Sequence, residues 1–113
     1  MDTHYKGLIW TNHAIHRMRE RGISQGDAWA TWNRPEQSRY AASKGAWVYY
    51  RTWPASTGKP GEYIKIEVVA KRNEKKQWVI ISVWSNEVKN TNNQSPQKSL
   101  FLTLFRNIFS IKN

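Results

Sequence analysis

At Pro35 the chain changes its apolar period, and that switch constrains the fold more than any other feature of the sequence. Upstream, apolar residues recur at helical spacing; downstream, they alternate. Residues 62–72 carry the second period most cleanly. Ile64, Ile66, Val68 and Ala70 fall on one side, and Tyr63, Lys65, Glu67 and Lys71 on the other. A strand of that pattern buries one face and turns the other to water.

Upstream of the switch, residues 5–10 read as a short strand or extended lead-in. Thr11 or Asn12 suits the N-cap of a helix running to about Arg21. Gly22, which tolerates a left-handed backbone, ends it. Ser24 opens a second helix, with Asp27 three residues on as a short-acid capping box. Ala28, Trp29 and Trp32 form its apolar stripe, and Pro35 stops it.

Downstream, residues 37–43 and 46–53 flank Lys44-Gly45, which reads as a tight hairpin turn. Residues 54–61 hold two Pro and two Gly and read as loop. Residues 73–76 turn the chain into a last strand over 77–84. The expected fold is α+β over residues 1–87: two N-terminal helices packed on one face of a three- or four-stranded antiparallel sheet. Residues 88–99 read as a flexible linker. Residues 100–113 read as a C-terminal amphipathic helix, with Leu104, Phe105, Ile108 and Phe109 on one face. A chain of 113 residues holds one modest core.

Charge points to the partner. Eighteen Lys and Arg oppose eight acids, a net charge of +10. Self-repulsion of that size opposes compactness, and a polyanionic partner offsets it. Seven Trp and five Tyr add flat rings of the kind on which unpaired bases stack. With no cysteine, disulfides and thiolate chemistry are excluded, and a cytoplasmic location is expected. No signal peptide and no membrane-spanning apolar run is visible.

The first helix concentrates the chemistry. His13, Arg17 and Arg21 fall at roughly 0°, 40° and 80° around its axis, a single basic stripe. Ala14, Ile15 and Met18 form the neighbouring apolar face. The run His13-Ala-Ile-His-Arg-Met-Arg-Glu-Arg-Gly-Ile-Ser24 resembles a small bacterial and phage family of unassigned function. Its opening reads His-Ala-x-x-Arg-Met-x-x-Arg-Gly-Ile-Ser. The segment Trp78-Val-Ile-Ile-Ser-Val-Trp84 looks like that family's closing strand. The resemblance spans about residues 8–85. In element order that family is similar to RelE-type toxins and to the ribonuclease fold shared with barnase-like and colicin ribonuclease domains. The resemblance implies a sheet face that receives RNA and metal-independent cleavage.

Cleavage through the ribose 2′-hydroxyl needs a base, an acid at the leaving oxygen, and cations around the phosphate. His13 is a candidate for either proton-transfer role, because histidine titrates near neutrality. Arg17 and Arg21 suit the phosphate, which a guanidinium grips with two N–H groups. Arg51, Lys65 and Lys71 are candidates for the cationic wall, Tyr49 and Tyr63 for base stacking, and Glu62 or Glu67 for an alternative base. No cofactor is implied. His13 and His16 have no acid at ligand spacing beyond Glu20, and there is no Gly-rich phosphate loop.

Three functions follow as expectations. One is a toxin-type ribonuclease held inactive by an acidic antitoxin. Another is a non-catalytic RNA-binding module with the same stripe and rings. The third is a protein-interaction module acting through residues 100–111.

Overall fold

The computed structural model describes residues 1–55 and 57–89. In chain order the elements are β1 (His4–Tyr5), β2 (Leu8–Trp10), α1 (Asn12–Arg21), α2 (Gln25–Asn33), β3 (Gln37–Ala41), β4 (Ala46–Pro54), β5 (Glu62–Arg72) and β6 (Trp78–Lys89). The strands form one sheet in the order β1-β2-β6-β5-β4-β3. Residues 90–113, and with them most of the expected linker and the whole expected C-terminal helix, lie outside the described residues.

Among the described residues the sheet has six strands and is mixed, which corrects the expectation of three or four antiparallel strands under two helices. The extra strands come from the lead-in. Lys6 and Gly7 both take positive φ, 50° and 79°, and so fold residues 4–10 into a two-residue hairpin. Two- and three-residue strands are too short to display a period. β2 then pairs parallel with β6, Ile9 opposite Val79 and Trp10 opposite Ile80, while every other pairing is antiparallel. That parallel pairing joins segments some 70 residues apart in sequence, and no local pattern announces it.

The helix ends follow their local chemistry. The Thr11 hydroxyl accepts from the Ala14 amide at 3.1 Å, and that of Ser24 from the Asp27 amide at 3.0 Å. Gly22 closes α1 at φ 65°, and α2 stops at Asn33, two residues before Pro35. The turn between β3 and β4 spans residues 42–45 rather than Lys44-Gly45 alone.

Register sorts the side chains by face, because partners directly across strands point the same way. On the face beneath the helices, Trp47 is exposed at the end of a row whose buried members are Ala70 and Ile80, and Tyr49, Val68 and Val83 form the adjacent row. There they meet Ala14, Ile15 and Met18 of α1 and Ala28 of α2 in one core with Leu8, Trp10 and Ile66. Fully burying side chains such as Met18, Ile66 and Ile80 contributes about 1.5–3 kcal/mol each. Between Val69 and Ala70 the β5–β6 register shifts by one residue, so Ile81 is an extra residue in β6.

Candidate nucleic-acid interface

β2 leaves the sheet at Thr11. Its amide and hydroxyl both donate to the Ile80 carbonyl at 3.1 Å, which anchors the start of α1 against β6. From there α1 packs against β6 and carries its basic stripe along the strand. The Arg21 guanidinium lies 3.2 Å from the centre of the Trp84 ring and donates to the Ser85 carbonyl at 2.7 Å. Arg17 lies 5.4 Å from the same ring. Two guanidinium groups near one ring, that of Arg21 directly over it, form a positively charged platform.

Glu20 orders that platform from its own helix. It accepts from Arg17 at 2.9 Å and meets His16 at 3.2 Å. Arg17 first, and His16 with it, hold the Glu20 carboxyl below the usual carboxylate range. Arg19 and Arg21 in the last turn also suit the negative end of the helix dipole.

From Trp84 a row crosses the sheet face opposite α1 and α2, which carries no helix among the described residues and is called the helix-free face. Trp84 stands opposite Glu67, Glu67 opposite Tyr50, and Tyr50 opposite Gln37 on the edge strand. The Tyr50 hydroxyl donates to the Gln37 side chain at 2.7 Å. Lys65, one row along, sits 4.5 Å from the Tyr50 ring centre and 3.7 Å from a Glu67 carboxylate oxygen. A carboxylate, an ammonium group, a phenol ring and two guanidinium groups thus share one solvent-facing strip.

The structure brings some of the expected residues together and separates others. Arg17, Arg21, Lys65 and the alternative base Glu67 gather around this strip. Tyr63 and Lys71 lie on the same face of β5, towards its two ends, and are exposed. His13 is exposed on the first turn of α1, and among the described residues its side chain makes no hydrogen bond. Tyr49 and Arg51 lie on the other face: Tyr49 packs edge-on against Trp32 and Trp78, and Arg51 lies 4.5 Å from the Trp53 ring. Glu62 is held by the Thr57 hydroxyl at 2.8 Å.

Sequence reasoning missed Trp84 and Tyr50. Plain alternation from Trp78 and Ile80 would place Trp84 in the core, yet it is half-buried beside the α1 arginines on the helix-free side. The alternation of β4 carried a signal for Tyr50, since Tyr49 and Tyr50 must face opposite ways, but not for which of them faced out. Among the described residues no three His, Asp or Glu side chains gather as a metal site. No described helix is long and apolar enough to cross a membrane.

Comparison with curated proteins and with solved structures finds no match. Nothing in the comparisons links the chain to RelE-type toxins. The family model described as Domain of unknown function (DUF4258) matches residues 10–85, which reach from the end of β2 through Trp84 and Ser85, and the chain belongs to that family.

Proposed function

We propose that this domain binds single-stranded RNA along the strip from α1 across the helix-free face of the sheet. The observation that carries the reading is the Arg21 guanidinium over the Trp84 ring, with Arg17 near the same ring, at the head of the Glu67–Tyr50 row. A guanidinium laid flat on a ring keeps N–H groups at its rim for phosphate oxygens and offers its outer plane to an unpaired base. Glu67 can accept from a ribose 2′-hydroxyl, a contact that DNA lacks. The net charge of +10 supplies long-range attraction to any polyanion.

A second reading, metal-independent cleavage, is favoured by one further observation. Lys65 and Glu67 lie 3.7 Å apart on the same strip. In that reading the Glu67 carboxylate takes the 2′-hydroxyl proton as that oxygen attacks the phosphorus. Lys65, Arg17 and Arg21 carry the charge gathering on the phosphate oxygens. The bond to the 5′-oxygen breaks, and that oxygen takes a proton from water, so that the step needs no residue outside the strip.

Both readings are tested on purified protein with labelled oligoribonucleotides in excess chelator, beside Glu67→Gln and Arg17→Ala/Arg21→Ala variants. Retention of intact single strands, weakened in the arginine variant, supports binding. Products ending in a 2′,3′-cyclic phosphate, formed by the parent and absent with Glu67→Gln, support cleavage. An absence of any RNA association refutes both.

A further inference from the structure

At the end of the sheet formed by the β3–β4 and β5–β6 turns, a second surface combines exposed rings with fixed cations. Tyr40 and Trp47 stand directly opposite each other across β3 and β4, with ring centres 5.4 Å apart. They are the two most exposed aromatic rings among the described residues, at 55% and 41% of their full accessibility. Exposed rings paired at a sheet edge invite association unless a ligand or charge covers them. Here the surroundings are cationic. Arg72 lies on the same face as Trp47, diagonally across from it, because Trp47 pairs with Ala70 two residues before. Lys44 sits in the adjoining turn, and Lys75 and Lys76 complete the group, against Glu74 as the acid of that turn.

These cations are presented on a rigid turn. The Asn73 side-chain oxygen accepts from the Lys75 and Gln77 amides, both at 2.9 Å, and its amide nitrogen donates to the Gln77 side chain at 3.0 Å. Lys76 takes φ 64°, and Arg72 reaches back to its carbonyl at 3.4 Å. A depression of about 540 Å³, bounded by Lys71, Arg72, Asn73, Glu74, Lys75 and Gln77, opens on this turn. Stacking planes beside preset phosphate partners are the requirements for holding single-stranded nucleic acid without reading its sequence.

We infer that the Tyr40–Trp47 pair and the basic β5–β6 turn form a second contact surface for the same RNA strand. The inference rests on the RNA reading of the α1 strip and adds a separate surface to it. The row of Tyr50 and the row of Trp47 are three residues apart along β4 and on opposite faces, a rise of about 10 Å. A strand leaving the first strip at Gln37 therefore rounds the short edge strand β3 to reach Tyr40 and Trp47.

The test uses the full chain, a labelled twelve-nucleotide oligouridylate, and a Tyr40→Thr/Trp47→Thr variant, with threonine chosen to keep strand propensity. Base stacking on one ring corresponds to about fivefold or more in affinity. The expected result is a loss of at least tenfold with an unchanged unfolding temperature. Ultraviolet cross-linking of the parent protein to a 5-bromouridine probe should place adducts in the peptide holding residues 40–47. That readout holds even where the variant fails to fold. Parent binding with an unaltered variant, and cross-links confined to α1 and β6, would overturn the second surface and leave the first standing. A variant that keeps its RNA affinity but loses self-association would overturn it too, marking the pair as a protein contact. Absence of binding by the parent would overturn both surfaces.

Discussion

Replacing Arg17 and Arg21 together by alanine should flatten the salt dependence of RNA binding by a calculable amount. The two guanidinium groups share the Trp84 ring, at 5.4 and 3.2 Å from its centre, and so face one stretch of backbone. Each phosphate contact to a single strand contributes about −0.7 to the slope of log affinity against log salt, so loss of two removes about 1.4. Over a fourfold rise in salt the parent should then lose about sevenfold more affinity than the variant. Fluorescence anisotropy with a labelled oligouridylate across a salt series reads both slopes directly. Arg21 also donates to the Ser85 carbonyl, so some stability goes with it: about 1 kcal/mol for an exposed contact of this kind. Thermal unfolding separates that loss from the loss of binding. Arg17→Lys/Arg21→Lys should restore the slope, because charge is retained, but not the full affinity, because an ammonium lacks the planar fork. A double-alanine variant that binds more weakly with an unchanged slope would refute phosphate contact and leave the arginines a role in seating α1.

Three other outcomes follow from particular contacts. Thr31 is fully buried, donates to the Asp27 carbonyl at 2.9 Å and accepts from the Trp53 indole at 3.0 Å. Thr31→Val strands that indole N–H and should cost about 1–3 kcal/mol in chemical denaturation, whereas Thr31→Ser, which keeps the acceptor, should cost less than Thr31→Val. Burial beside Trp32 and Trp78 raises the Tyr49 hydroxyl above its ordinary range, against the opposing charge of Arg72. A folded-state value above the unfolded one contributes stability that is complete below the ordinary tyrosine range and is lost as pH rises through the raised value. Absorbance titration should show a late phenol step that Tyr49→Phe removes. The Glu20 carboxyl is lowered chiefly by Arg17, so its effect on stability is present above the ordinary carboxylate range and fades as pH falls through the lowered value. A carboxyl-detected NMR titration should find Glu20 ionising early in the parent and moving up towards the ordinary range in Arg17→Ala.

Much of the helical half was legible because its signals are local. The caps Thr11 and Ser24, the left-handed Gly22 and the stop before Pro35 each act within a few residues of where they sit. The basic stripe of α1 was legible for the same reason, since residues four apart lie on one side of any helix. β5 was legible to the residue because its alternation runs unbroken from Glu62 to Arg72. The sheet's size was not. β1 and β2 are stated by a two-residue turn at Lys6 and Gly7, and the parallel pairing of β2 is decided by contacts with β6 at the far end of the described chain.

The candidate site was hidden by one residue. Unbroken alternation in β6 would place Trp78, Ile80, Ser82 and Trp84 on one side, so the two tryptophans read as a pair in the core. The register shift opposite Val69 and Ala70 makes Ile81 supernumerary and exchanges the faces beyond it. Trp78 and Ile80 then stay under the helices, Val83 takes the next core position, and Trp84 turns to the helix-free side. A shift of that kind depends on how two strands align, which the spacing within β6 alone does not encode. Its consequence reaches beyond packing. Were the same residues paired continuously from Ala70 and Ile80 with no shift, Trp84 would face the core and Val83 would stand opposite Glu67, and Arg17 and Arg21 would meet an aliphatic side chain instead of a ring. The bulge is therefore what joins the basic stripe of α1 to the Glu67–Tyr50 row, and the proposed RNA strip exists as one surface because of it.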